Sequence, residues 1–301
     1  MAAITKTDFP NGGPNDRAIL NKFYEPGKPL GNVLFVDSVN GSSSGPGWSP
    51  QNAYATMIQG QTAATASNED VVYLLPAHAE SIVGAAGMTF SKAGVRYQGV
   101  GVGSLRPTIT FSTSTAAQMI VSGANVTFSN IAFDFTGIDA IVAAISVTGA
   151  DVAFEDCVFT TNSATAGVVL GILTAATAAR LRVERCRFIG PATNSGTTTT
   201  ACIKHEVGVD YVIKDNYFTG KMTQAILNAT AVLRGLIDSN RFVIATGTLA
   251  ITMHASSTPF IVNNRINVPS GTTPITAAAG FVAGNVYSAA AGVTAGTAVT
   301  I

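Results

Sequence analysis

Along most of the chain, apolar and polar residues alternate with a period of two, and the alternation recurs as one repeated segment. Val126-Thr-Phe-Ser-Asn-Ile-Ala-Phe133 is followed by Val152-Ala-Phe-Glu-Asp-Cys-Val-Phe159 and by Leu181-Arg-Val-Glu-Arg-Cys-Arg-Phe188. The pattern continues through 211–218, 235–242, 259–266 and 280–287, and a weaker first copy covers 95–102. Taking Val100, Ile131, Cys157, Cys186, Asn216, Asn240, Asn264 and Asn285 as anchors, the steps are 31, 26, 29, 30, 24, 24 and 21 residues. A repeat of this length, built on strand-type alternation, describes a solenoid with one copy per turn. The predicted fold is all-β, a right-handed parallel β-helix.

A second series lies between the anchors: Ile120, Ile145, Ile172, Ile203, Ile226, Ile251 and Ile275, each 10–14 residues ahead of its anchor. Every turn therefore carries at least two strands in register, and eight turns at the strand spacing give a rod roughly 38 Å long. The anchor column becomes four successive asparagines, whose amides can bond from rung to rung. Two residues on, the column reads Val102, Phe133, Phe159, Phe188, Phe218, Phe242, Ile266 and Tyr287. Stacking of these rings inside the rod is expected, each burial contributing about 1.5–3 kcal/mol.

Four segments follow. Residues 1–32 read as an extended arm punctuated by Pro and Gly, with one helical turn around Asp16–Phe23. Residues 33–92 are the opening turns, with a capping helix over Asn52–Ala66; 93–290 are the β-helix; 291–301 are an uncharged tail. A cap is needed because the end of a β-helix is an unpaired sheet edge.

Phe35-Val-Asp-Ser-Val-Asn-Gly41, Gly47-Trp-Ser-Pro-Gln-Asn-Ala-Tyr-Ala-Thr56 and Val72-Tyr-Leu-Leu-Pro-Ala-His-Ala-Glu80 resemble the opening of the pectate-lyase-like β-helix superfamily. The resemblance extends over about 33–290 and departs from the usual strand motif at Ala77-His78. It implies the β-helix fold and suggests a bacteriophage structural protein of the head or tail, since versions of this opening occur there. It does not imply one chemistry, because the superfamily holds lyases, hydrolases and inert proteins.

Composition narrows the function classes. Lys+Arg and Asp+Glu are both 17, which gives no electrostatic case for nucleic acid or an anionic membrane. No apolar run reaches the ~18 residues of a spanning helix. Only 11% of residues are charged, and none follows Arg265. The mean hydropathy of +0.34 points to self-association or attachment to a larger assembly. The start lacks the basic-then-apolar layout of a secretory signal, which fits synthesis in a host cytosol. Cys157 and Cys186 fall one turn apart in the same column, within disulfide range, and are expected as reduced core thiols. No Cys/His pattern suggests a metal site, and no cofactor is expected.

Polysaccharide cleavage on such a rod needs two outer carboxylates ~5–10 Å apart, or acidic metal ligands with a base. Two polar columns precede the anchor. One reads Gln98, Ser129, Glu155, Glu184, Lys214, Asp238; its neighbour reads Gly99, Asn130, Asp156, Arg185, Asp215, Ser239. Asp156, Arg185 and Asp215 resemble a lyase cluster in composition only, and a charge ladder explains them better, with Arg182 or Arg187 offsetting the stacked Glu155 and Glu184. Glu206, in the knot Lys204-His205-Glu206 near Asp210, is the remaining catalytic candidate. His205 falls in the column Ser122, Val147, Thr174, His205, Asn228, Met253, Ala277, which points inward, so it reads as a core residue. Trp48 is the only tryptophan, and no aromatic sugar groove is evident.

The reading carried forward is a non-enzymatic virion protein: a capsid decoration (cement) protein, assembled as a homotrimer. Its expected partner is the major capsid protein or another virion subunit, held through residues 1–31 and the C-terminal tail. The alternatives are a tailspike-type depolymerase and a carbohydrate-binding adhesin.

Overall fold

A computed structural model describes residues 31–289 and 297–299, apart from 176, 194, 207, 247–248, 270–273 and 278–279. The arm over 1–30 and most of the 291–301 tail lie outside the described residues. The rest is a right-handed parallel β-helix of about eight turns with one short α-helix.

Each turn visits three faces. The first face holds ten parallel strands, from Val33–Val36 and Val71–Leu74 to Thr258–Val262 and Phe281–Ala283. The second runs from Ala79–Ile82 through Val158–Thr160, Arg187–Ile189 and Arg241–Thr246 to Asn285–Ala289. The third runs from Met88–Phe90 through Ile145–Val147 and Thr199–His205 to Ile275–Thr276. Tyr217–Asn228 is one long strand that serves the second face and then the third.

A single left-handed residue makes the corner between the first and second faces. Asn130, Asp156, Arg185, Asp215, Ser239 and Asn263 have φ of 54–57°, and Gly284 has 66°. A one-residue corner of this kind turns the chain sharply and leaves the next residue pointing into the core. That next residue is the anchor, and its polar groups must find partners inside. Asn240 Oδ1 accepts from the backbone N–H of Asn216 at 2.9 Å, while its Nδ2 donates to the Ile213 carbonyl at 2.9 Å. Asn216, Asn264 and Asn285 repeat the arrangement. Cys186 and Cys157 take the same role more weakly, their thiols donating to the carbonyls of Phe154 and Phe128 at 3.4 and 3.5 Å. Both are buried and unbonded, as is Cys202.

The ring column is equally regular. Phe133, Phe159, Phe188, Phe218 and Phe242 stack in adjacent rungs with centroids 4.5–5.2 Å apart and planes within 6–11°. Each is fully buried.

Three details differ from the sequence expectation. Val100 and Val102 are 37% and 76% exposed, and Ile109 holds the ring-column position beside Phe133. The reason is a looped-out stretch after Gly99, including the 3-10 turn Gly103–Leu105. On the third face Met119 and Val121, not Ile120 and Ser122, pair with Ile145 and Val147 and point inward. The capping helix is shorter, Met57–Ala63, with a capping box between Thr56 and Gln59. At the far end, Thr297–Val299 pairs antiparallel with Asn285–Tyr287 and covers part of the last rung's edge.

Asn240→Ala should leave the Asn216 N–H and the Ile213 carbonyl without side-chain partners, at about 1–3 kcal/mol for each buried group. A urea melt should show a loss of about 3 kcal/mol or more. Cys186→Asn, which keeps a donor for the Phe154 carbonyl, should stay within about 1 kcal/mol of wild type and above Cys186→Ala. Denatured, unreduced protein should titrate three thiols.

Candidate functional site

The corner residues and their first-face neighbours form ladders of ion pairs. Arg185 binds both oxygens of Asp156, at 2.9 and 3.0 Å, and reaches Glu184 at 3.5 Å and Glu155 at 3.9 Å. Arg182 binds Glu184 at 3.0 Å and Glu155 at 3.8 Å. The stacked glutamates are thus offset by Arg182 and Arg185; Arg187 lies on the second face instead. The hydrogen bonds and charge of Asp156 raise the pKa of Arg185. Lys214 stands 3.6 Å from Asp238, one rung on.

A second ladder, at the corner before the first face, was not anticipated. Asn125, Asp151, Arg180, Asp210 and Arg234 are also left-handed, at φ 54–58°. Arg180 grips Asp151 with two contacts of 2.6 Å, and Arg234 grips Asp210 at 2.7 and 3.0 Å. Each guanidinium holds its carboxyl below the usual range. Asn125, Asp151, Arg180 and Asp210, together with Arg182, line a shallow groove of about 440 Å³ on the first face.

Among the catalytic candidates, Asp156, Arg185 and Asp215 do come together, one per rung at the same corner. Asp156 and Asp215 are two rungs apart, about 10 Å by strand spacing, at the outer edge of the roughly 6.5–9.5 Å used by inverting carboxylate pairs. Both oxygens of Asp156 are nevertheless occupied by Arg185. An acid catalyst needs a proton on its carboxyl, and a bidentate guanidinium opposes that. Glu206 is not part of the cluster: it follows the third-face strand and pairs with Lys204.

His205 is buried, with its ring stacked on Tyr211 at 4.3 Å and its Nδ1 3.4 Å from Thr174 Oγ1. Tyr211 in turn accepts from Asn228 Nδ2 at 2.9 Å, and it occupies space that only a glycine at position 235 leaves free, since a Cβ there would lie 2.0 Å from the ring. Burial lowers the His205 pKa to about 3. The imidazole is therefore a neutral core group, as its column implied.

The second face offers different chemistry. Arg187, Tyr217, Arg241 and Arg265 occupy one outward column in consecutive rungs. Arg241 lies over the Tyr217 ring, 5.3 Å from its centroid. The signal was present in sequence as the residue just after each anchor: Cys186-Arg, Asn216-Tyr, Asn240-Arg and Asn264-Arg. Among the described residues, no group of three or more His, Cys, Asp and Glu is placed to hold a metal ion.

Comparison with known proteins agrees on architecture. Pectate lyase Pel9A superposes with a TM-score of 0.56 at 13% identity, covering 86% of this chain and 79% of that one. The shared feature is the β-helix. A rhamnogalacturonan lyase (TM-score 0.47, 11% identity, 85% and 87% coverage) and the Dettilon tailspike protein (0.41, 12%, 85% and 70%) are more distant. No protein-family model and no curated protein sequence matches the chain.

His205 yields a pH prediction. Between pH 6.5 and about 3 the unfolded chain binds a proton on this imidazole that the folded chain does not. Stability must then fall as pH is lowered, by up to about 1.4 kcal/mol per pH unit. Urea midpoints between pH 6.5 and 5, above the range in which the carboxylates titrate, should show this slope in wild type. His205→Asn should flatten it.

Proposed function

We propose that this chain is a non-catalytic structural subunit of a bacteriophage particle, a head decoration protein that acts as an oligomer. The observation that carries the proposal is the third face. Its outward column reads Thr89, Ile120, Ser146, Leu173, Lys204, Leu227, Thr252 and Thr276 in successive rungs. One charge in eight positions is sparse for a solvated sheet face, which normally carries Lys and Glu throughout. Flat, small and aliphatic faces suit parallel packing of rods about a three-fold axis.

Two further points support a structural role. Asp156, one of the two spaced carboxylates, is tied up by Arg185, and the charged residues lining the first-face groove are already in ion pairs. The opening segment 35–80 resembles that of phage β-helix proteins. On this reading the major capsid protein is the partner, reached through residues 1–31 and the C-terminal tail.

Light scattering should give an integer multiple of 30.8 kDa, with a trimer expected. Leu173→Glu with Leu227→Glu should shift it to monomer while leaving the far-UV spectrum unchanged. A monodisperse wild-type monomer that does not bind purified capsids would defeat the proposal. In parallel, Asp156→Ala, Asp215→Ala and Glu206→Ala should leave glycan-cleavage assays where wild type leaves them, at background. Release of reducing or unsaturated ends by wild type, lost in Asp156→Ala or Asp215→Ala, would favour a tailspike-type depolymerase.

A further inference from the structure

The first face changes character along the rod. In its earlier rungs it turns Tyr97, Phe128 and Phe154 into the core and carries charge outside. In its last two rungs it turns Phe260 and Phe281 outward, 55% and 53% exposed, with ring centroids 5.9 Å apart. Val212 and Leu236 continue the same outward column in the two rungs before them, and Leu233, 40% exposed, borders it. The neighbouring outward column ends in Val262 and Ala283. Its last charges, Lys214 and Asp238, are held together at 3.6 Å. The two rings alone leave on the order of 200 Å² in water, taking about 150–250 Å² for a whole phenylalanine. With Leu233, Leu236 and Val212 the strip reaches the roughly 300–600 Å² at which an apolar patch is often functional.

A surface that covers this strip must be flat, sparsely charged and long enough to follow several rungs. The third face meets these terms, and it lies next to the first across a single corner: only 229–232 and 253–257 separate the strands of the two faces in the later rungs. Rods packed in parallel about an axis beside that corner set the first face of one copy against the third face of the next, at equal height. The levels then match. Leu227, Thr252 and Thr276 follow Val212, Leu236 and Phe260 in their rungs, so small and aliphatic side chains meet the rings. Lys204, the one charge of the third-face column, belongs to the rung of Glu184. It therefore comes level with the stacked Glu155 and Glu184 of the neighbour and stays clear of the apolar strip. Pairing of the strip with itself would set rings against rings and leave the third face without a complement.

We propose that the first-face strip of Val212, Leu236, Phe260 and Phe281 docks the third face of a second copy of this chain, in a heterologous contact that repeats around the oligomer. The inference rests on the oligomer proposed above and adds the surface that the third face meets. Each copy then contributes two different faces, and closure needs no further contact. Phe260 and Phe281 are the anchors of the interface, aromatic rings that lose water only when the neighbour is in place.

The test is disulfide cross-linking between two differently tagged full-length chains, co-expressed, one carrying Phe281→Cys and the other Thr276→Cys. The native thiols Cys157, Cys186 and Cys202 are buried, so oxidation with copper phenanthroline reports on the new pair. A disulfide joining the two tags is expected from the mixture, and none from either variant alone. Phe260→Glu with Phe281→Glu should raise the concentration of half-dissociation at least a hundredfold in light scattering, with an unchanged far-UV spectrum. Arg241→Gln with Arg265→Gln, on the second face, should change it less than twofold. An intact oligomer whose mixed chains do not cross-link would overturn the docking and leave the oligomer reading standing. So would Phe281→Cys joining to itself, or a folded Phe260→Glu with Phe281→Glu variant that dissociates like wild type. A wild-type monomer would overturn both. Should the glutamate variant lose its far-UV spectrum, the cross-link alone decides.

Discussion

A chain that turns a corner with one left-handed residue must satisfy the polar groups it drags into the interior, and the rest of this rod is arranged around that requirement. The corner at Asp156, Arg185, Asp215 and Ser239 is tight enough to keep the first and second faces in register from rung to rung. It also places the anchor side chain where water cannot reach it. Asparagine meets the need by pairing both ends of its amide with the preceding coil: Asn240 Nδ2 donates to the Ile213 carbonyl, and its Oδ1 accepts from the Asn216 N–H. Because every amide both gives and receives, the ladder is cooperative along the axis. Once the corner is locked, the residue two positions on falls into line, and the phenylalanine stack follows from the same geometry.

The sequence disclosed this frame wherever its phase was unambiguous. From Ile131 onwards the anchor, ring and polar columns pair in the structure as the spacing implies. Phase was lost where local physics supplied no marker. Met119-Ile-Val121 is apolar at three successive positions, so either of two alternating sets could face inward, and a one-residue slip exchanges the faces. After Gly99 the chain loops out before resuming at Thr108, and counting from Val95 then points to Val102 in place of Ile109. The capping helix occupies only the middle of the expected segment, its start set at Met57 by the capping box of Thr56 and Gln59, with Gly60 packed against Val72 and Val36.

Site chemistry was legible to the extent that it rode on the repeat. Asp156, Arg185 and Asp215 are the corner column, so their juxtaposition followed from the anchor register. That the column is a chain of ion pairs depends on side-chain reach, which spacing does not contain. The second ladder, Asp151 with Arg180 and Asp210 with Arg234, sits one residue ahead of the repeated segment and was outside the window that defined it. His205 was legible because an inward column admits a polar ring only as a neutral, packed group; Tyr211 and Asn228 then supply its setting.

Charge placement separates the three faces by the work each can do. At the corners of the first face, opposite charges alternate along the axis and neutralise one another, and the stacked Glu155 and Glu184 between them are offset by Arg182 and Arg185. On the third face charge is nearly absent, and the free energy of that surface falls when another apolar surface covers it. On the second face positive charge is present without its complement. An unpaired guanidinium column costs Coulomb energy in the isolated rod, a cost that solvent screening reduces but does not remove. Because its members are exposed, that cost is small. The rung spacing of a β-helix repeats whatever each face carries at constant pitch, so the character of a face is set by one residue per turn.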